Sequence, residues 1–485
     1  MLLLILCVAS GRPQVFSDTK SYYALGHEVA LVFQPPRSVQ ESAEILRGRP
    51  LAANEAVTET RLAYTVSASR SPYWSTLFYL AVEFGTAWLV VVLQSLAAAT
   101  VLWVAAEAFG VRRAYLPTVA GLALLSSLPV QVMFLMPDLF AGLAILAALL
   151  LAVMRDRLTR SAAIMLWGVM AASALFHTSH LLLIATLGVG VLLVSALRAH
   201  RGLRGPGLAM LGAAAVGAIG AISFPLAVQA MRGQPIFAPP FLSARLIADG
   251  PGRALLRRDC VTGNEWGWCA YLDRPLIDVN TILWSDDPAT ASFQAADYDR
   301  RVRIIGEQPG FVLATVRSYP GDVIAIVAGN IANLFLQYGI TEALGDPTPR
   351  YRDPDFAVFS RIVPGTADCV AGRESCASRL DLPTLEAVLG LVLLLSCGIV
   401  AAMLTTPQGR SRWGAAVLFV VVGLIANAVV CGGISGNAER YQSRVTWLVP
   451  LLALAMIADW RLRRARADDD AAADVTGDVS FARSA

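Results

Sequence analysis

Apolar stretches of about 18 or more residues recur along most of this 485-residue chain, and a stretch of that length crosses a hydrocarbon core of roughly 30 Å as a helix rising about 1.5 Å per residue. The composition agrees, with 56% hydrophobic and only 15% charged residues against roughly 45–50% and 25% for soluble domains. These features exclude a soluble globular protein and set the fold class as an all-α polytopic membrane protein. The expected crossings lie at 86–109, 114–135, 139–154, 161–176, 181–197, 208–231, 385–404, 415–434 and 445–458. Residues 1–9 are apolar but span only half a bilayer, without the basic flank or cleavage site of a signal peptide. They read as the outer end of a first helix that begins upstream, which gives about ten crossings.

Arginines orient the bundle. Lys20 is the only lysine, and the net charge of +3 comes from arginines clustered between apolar runs. Arg112 and Arg113, then Arg155, Arg157 and Arg160, then Arg198, Arg201 and Arg204, then Arg410 and Arg412, then Arg461, Arg463, Arg464 and Arg466 fall in every second connection. Short Arg-rich loops stay cytoplasmic, so the polar segments 10–75 and 232–383 are expected outside a bacterial inner membrane. The turns at 129–138, 177–180 and 435–444 join them there. No continuous basic surface indicates a nucleic-acid partner.

The expected organisation is a transmembrane core with its first outer loop at 1–231 and a large extracytoplasmic segment at 232–382. C-terminal helices follow at 383–459, then a disordered cytoplasmic tail at 460–485. Residues 323–341 are long enough to span but carry Asn330, Asn333 and Gln337 along one face, so they read as an interfacial or bundle-packed amphipathic helix. Cys260 with Cys269, and Cys369 with Cys376, share the large outer segment and are expected as two short disulfides in an oxidising compartment. A zinc site is the alternative, although neither pair has C-x-x-C spacing or a nearby histidine.

The chain contains no P-loop, no G-x-G-x-x-G opening a helix, no H-E-x-x-H and no G-x-S-x-G. Chemistry must therefore come from polar groups gathered at one membrane face. Asp18, in Phe16-Ser17-Asp18-Thr19-Lys20-Ser21-Tyr22-Tyr23, is a candidate general base or metal ligand, with Lys20 and Tyr22 as substrate-binding candidates. Asp138, after Pro137, is a second candidate acid on the same face. Helix capping is the plain reading of both. His177 and His180 occupy a short outer turn and are candidates for binding a phosphate or a metal. Arg440 and Arg444 flank Tyr441 at i and i+4 and depart from the charge bias; guanidinium forks suit a lipid phosphate. Arg245 opens the large outer segment, facing the site from a short Leu- and Ile-bearing helix expected to lie on the bilayer.

This pattern resembles the GT-C-fold membrane glycosyltransferases, in particular bacterial members. It combines an outer Asp in a Ser-Asp-Thr-Lys-Ser-Tyr setting after the first helix, a second acid between the third and fourth spans, and amphipathic outer helices. Arg70-Ser71-Pro72-Tyr73 and the pair Arg440 and Tyr441 add to the likeness. The resemblance implies an enzyme of the cell envelope that takes a sugar from a polyprenyl-phosphate carrier and passes it to an extracytoplasmic acceptor. Asp18 and Asp138 would be its catalytic acids, with a divalent metal as the cofactor to test. Within the same enzyme class, an O-antigen-ligase-like transferase would lean on Arg and His instead of Asp18. A lipid-linked solute transporter or flippase would need charge near the middle of its spans. A non-catalytic envelope-assembly protein would leave Asp18 dispensable.

Overall fold

The computed structural model describes residues 1–32, 70–198, 201–232, 236–263, 266–285, 287–341, 363 and 380–481. Among these residues every regular element is helical, and one parallel bridge between Gln14 and Phe134 is the only strand-like pairing. The chain begins with α1 (Ile5–Ser10), α2 (Ser17–Val32), α3 (Pro72–Glu83) and α4 (Ala87–Phe109). The next elements are α5 (Tyr115–Leu125), α6 (Leu128–Met133), α7 (Leu139–Val153), α8 (Arg160–Phe176), α9 (Thr178–Leu197) and α10 (Arg204–Arg232). A cap follows, made of α11 (Phe241–Asp249), α12 (Pro251–Thr262), α13 (Val279–Trp284), α14 (Tyr298–Ser318) and α15 (Pro320–Leu336). The chain then forms α16 (Leu382–Leu404), α17 (Pro407–Val430), α18 (Glu439–Thr446) and α19 (Leu448–Phe481).

Among the described residues six helices are long and apolar enough to cross a membrane: Ala87–Phe109, Thr178–Leu197, Arg204–Met231, Leu382–Leu404, Pro407–Ser435 and Glu439–Asp468. The other expected crossings are shorter or interrupted. α1 has six residues, α7 fifteen and α8 seventeen. The stretch 114–135 divides at Ser126 and Ser127. Ser126 is extended, its Oγ donates to Leu122 O at 2.6 Å and accepts from Leu128 N at 3.2 Å, and Pro129 sits in the first turn of α6. Proline cannot supply the N–H that would continue the ladder. The interruption is tolerated because α6 and the residues after it are buried in protein, where the broken backbone meets side-chain partners instead of lipid.

α7 is the axis of the bundle. It is apolar on all sides, so every residue from Leu139 to Leu151 is buried. A Cβ on Gly142 would lie 2.6 Å from Trp447 Nε1 and 2.8 Å from Arg444 O, so the glycine lets the junction of α18 and α19 press onto α7. The Arg-rich connections meet at the C-terminal end of this axis. There Arg157 donates to Ala108 O at 3.1 Å, while Arg412 donates to Phe109 O at 3.1 Å and Asp459 at 2.7 Å. The N-terminal end of α7, which carries Asp138, lies at the opposite end of the bundle.

The cap has its own hydrophobic core around Leu255, Trp268, Ile282, Ile304 and Phe311, and the Cys260–Cys269 disulfide is formed in it. The second expected pair, Cys369 and Cys376, lies outside the described residues. α14 and α15 meet at 104° around Pro320, so the expected amphipathic helix begins at Pro320 and ends at Leu336, with Gln337 already extended. Within its polar stripe Asn330 faces protein, while Asn333 is exposed. Asn330 donates to Asp249 at 3.0 Å and accepts from Asn437 at 2.9 Å, while Leu334 packs on Val430 and Cys431. At the C-terminus, α19 continues as helix to Phe481 through the segment expected to be an unstructured tail. The Ala- and Arg-rich composition after Trp460 favours that conformation.

The close approach at Gly142 generates a prediction. Gly142→Ala forces α7 and the α18–α19 junction apart and should cost about 1–3 kcal/mol, the usual scale of overpacking. The effect should appear as a lower thermal midpoint of the detergent-solubilised protein. An unchanged midpoint would mean that α7 slides freely past Trp447.

Candidate functional site

Two loops that are distant in sequence are tied together by main chain. Gln14 N donates to Met133 O at 2.9 Å, and Leu135 N donates to Gln14 O at 2.9 Å. The remaining carbonyls of this irregular segment are also met, because the Gln94 amide donates to Val132 O at 3.3 Å and to Phe134 O at 2.9 Å. The tie sits four residues before Asp18 and three to five before Asp138, so it sets the two acids beside each other. At the start of α2, Thr19 Oγ1 accepts from Phe16 N at 2.9 Å, the backward half of a capping box. Thr19 thus takes the capping work and leaves the Asp18 carboxylate in the first helical turn for other partners. Asp138 occupies the N-cap position of α7, but its side chain makes no capping hydrogen bond.

Both carboxylates turn instead to arginines. Asp18 Oδ1 lies 2.5 Å from Arg70 Nη2, and Asp18 Oδ2 lies 3.4 Å from Arg440 Nη2. The other terminal nitrogen of Arg440, Nη1, is 3.8 Å from Asp138 Oδ2, and Arg444 Nη1 is 3.2 Å from Asp138 Oδ1. Among the described residues the result is an alternating row, Arg70–Asp18–Arg440–Asp138–Arg444. Arg440 also lies over the Phe16 ring at 4.3 Å and over the Tyr441 ring at 4.7 Å. Arg444 is fully buried and donates to Asn427 Oδ1 at 3.0 Å and Ser179 Oγ at 3.2 Å. Asn427 lies inside an apolar span, and its amide N–H groups bond Tyr441 O at 2.7 Å and Gln442 Oε1 at 2.9 Å. The residue therefore locks α17 to α18.

One side of the row opens into a cavity of about 800 Å³, within the range of small-molecule sites. Its floor comes from the bundle through Phe16, Asp18, Lys20, Arg70, Arg440 and Tyr441, and its opposite wall comes from the cap through Phe241, Arg245, Asp278, Asn280 and Trp284. Asp138, 2% exposed, lies beneath this floor and does not line the cavity. It orients Arg440 and Arg444 from below. Tyr22 is also buried under the floor, with Arg70 5.6 Å above its ring. Arg245 pairs with Asp249 at 2.7 Å and reaches Ser435 O at 3.5 Å, joining the cap to the bundle.

The histidines sit behind the row. His177 caps α9, with its Nδ1 accepting from Ser179 N at 3.1 Å, and His180 Nδ1 lies 3.2 Å from Ser173 Oγ. Neither lines the cavity. Burial, reinforced by the Arg444 charge, pushes the His177 imidazole down to about 3. It is neutral at physiological pH and carries no charge to offer a phosphate.

The donor set does not fit a divalent cation. Arg440 lies between the two carboxylates, both already paired with guanidinium groups. Among the described residues no three His, Cys, Asp or Glu side chains gather in a metal-binding cluster. Arg70, the nearest cation to Asp18, stands two residues before Pro72, and Ser71 between them caps α3 through Trp74 N at 3.3 Å. The Ser-Pro start of a helix was visible in the sequence, but the pairing that gives Arg70 its place spans 52 residues and was not. No protein-family model, curated protein or solved structure matches this chain.

Burial acts to raise the Asp18 carboxyl, but Arg70 and Arg440 more than offset it and hold it below the usual carboxylate range. A folded-state value below the unfolded one, about 3.9, means that the ion pair stabilises the fold above that pH and loses its contribution as pH falls through the folded value. The difference in thermal midpoint between wild type and Asp18→Asn should therefore be constant from about pH 8 to 5 and shrink below about pH 4. Differential scanning fluorimetry across that range checks it. A difference that shrinks near pH 6–7 would contradict the paired state.

Proposed function

We propose that this protein is a membrane glycosyltransferase that moves a sugar from a lipid-phosphate carrier to an extracytoplasmic acceptor. The observation that carries the reading is Asp18, a carboxylate on the cavity floor held by two guanidinium groups, Arg70 and Arg440. Guanidinium forks match phosphate oxygens, which favours an anionic occupant. When a phosphate takes hydrogen bonds from Arg70 and Arg440, Asp18 loses the charges that hold its proton affinity down. The carboxylate becomes a stronger base as the substrate arrives.

In the transfer step, the acceptor hydroxyl oxygen attacks the anomeric carbon and the bond from that carbon to the phosphate oxygen breaks. The electron pair leaves on the lipid phosphate, where Arg70 and Arg440 offset its charge, and the hydroxyl proton passes to an Asp18 carboxylate oxygen. Asp138 takes part as a positioning residue through Arg440 and Arg444.

The reading places the cavity outside the cytoplasm of a bacterial inner membrane, with the bilayer as the source of the carrier. Support comes from the Arg-rich connections at the opposite end of α7, since such loops stay cytoplasmic. The full count of about ten crossings, with α7, α8 and the broken α5–α6 pair as short spans inside the bundle, belongs to the same proposal. Reporter fusions should be active on the cytoplasmic side at Ala472 and on the outer side at Gly250. The reverse pattern would invert the bundle and put the cavity in the cytoplasm.

Asp18→Asn and Asp138→Asn separate the two roles. With the purified protein in nanodiscs and a polyprenyl-phosphate sugar as donor, Asp18→Asn should lower kcat by about 2–4 orders of magnitude, the scale of general-base loss. Asp138→Asn should act mainly on the KM for the donor. Normal turnover by Asp18→Asn would sink the proposal and favour a binding or assembly role for the cavity.

A further inference from the structure

The cap wall of the cavity contains two polar groups that have no partner among the described residues. α13 turns its apolar residues Ile282 and Leu283 into the cap core, where both are fully buried. Asn280 and Trp284, at i and i+4 on the same short helix, line the cavity instead. Trp284 is 39% exposed and is backed by the Phe241 ring at 6.1 Å. Among the described residues, neither the Asn280 amide nor the Trp284 indole N–H makes a hydrogen bond. The charged neighbours on this wall are occupied: Asp278 caps α13 through Thr281 N at 2.9 Å, and Arg245 is paired with Asp249 at 2.7 Å.

We propose that Asn280 and Trp284 form a shelf that binds a pyranose-like ring, stacking its C–H face on the indole and pairing its hydroxyls with the Asn280 amide. A polyhydroxylated ring has a flat apolar face and a polar edge, and this shelf offers the complement of both. A purely aromatic ligand would stack equally well on Trp284 but would leave the amide without a partner, and an unmet polar group in a contact costs free energy. The indole N–H gives the shelf a third contact to a ring oxygen or hydroxyl. The inference deepens the reading of the cavity as a glycosyl-transfer site and rests on it for one point, that the group across from the shelf is a phosphate. The sugar would then lie between the cap and the guanidinium row, with α13 selecting among sugars and the arginines holding the leaving group.

The test uses the full chain in nanodiscs and two separate probes. Saturation-transfer NMR with a panel of methyl glycosides of common hexoses and pentoses reads the shelf, and calorimetric titration of inorganic pyrophosphate reads the arginine row. At least one glycoside should receive saturation from the wild type. Its affinity should fall about 3- to 10-fold in Trp284→Ala, the scale of an aromatic contact of about 0.5–1.5 kcal/mol. It should fall in Asn280→Ala and recover in Trp284→Tyr, with pyrophosphate affinity unchanged in all three. If Trp284→Ala does not insert, Asn280→Ala and Trp284→Tyr carry the comparison. No saturation of any glycoside by wild type, or wild-type affinity in both Trp284→Ala and Asn280→Ala, overturns the shelf. Glycoside binding that depends on Trp284 without any pyrophosphate binding supports the shelf and overturns the phosphate reading of the row.

Discussion

Arg440 sits between two carboxylates at the mouth of an apolar bundle, and most of the architecture around it serves to make that arrangement affordable. A buried guanidinium costs several kcal/mol in lost hydration. The cost is met here by Asp18 on one side, Asp138 on the other and the Phe16 and Tyr441 rings across its faces. Arg444 repeats the solution one helical turn later with Asp138, Asn427 and Ser179. Removing one member of such a row strands a charge rather than deleting a contact. For this reason α2, α3, α7, α9, α17 and α18 behave as one unit at this end of the bundle.

The sequence made the class of this fold legible because bilayer length and apolar composition leave few alternatives. It also exposed Asp18, Asp138, Arg440 and Arg444, since charges at helix ends in so apolar a chain are conspicuous. Their chemistry was harder to read. Asp138 stands at an N-cap position, and only the tertiary fold reveals that its oxygens serve arginines instead of backbone. Periodicity could not reveal that Ser126 and Ser127 divide an apolar run, because hydropathy does not register a hydroxyl that replaces a ladder hydrogen bond. Arg70 entered the sequence reading only through the Arg70-Ser71-Pro72-Tyr73 likeness and Trp284 not at all, and each acquires a role only when tertiary contacts bring the first loop and the cap over the same cavity.

The cap carries a core of its own and is joined to the bundle both by polar contacts, Arg245 to Ser435 and Asn330 to Asn437, and by apolar packing of Leu334 on Val430 and Cys431. Apolar packing fixes its internal shape. Hydrogen bonds and the Leu334 contact together fix its position over the cavity.

The tie between Gln14 and Phe134 has a consequence for how freely this chain can vary. Its two hydrogen bonds run from main chain to main chain, so the spacing of Asp18 and Asp138 does not depend on which side chains occupy 14, 133, 134 or 135. The neighbouring positions can drift in sequence while the two acids keep their register. Proline is the exception at Gln14 and Leu135, because it removes the donor itself.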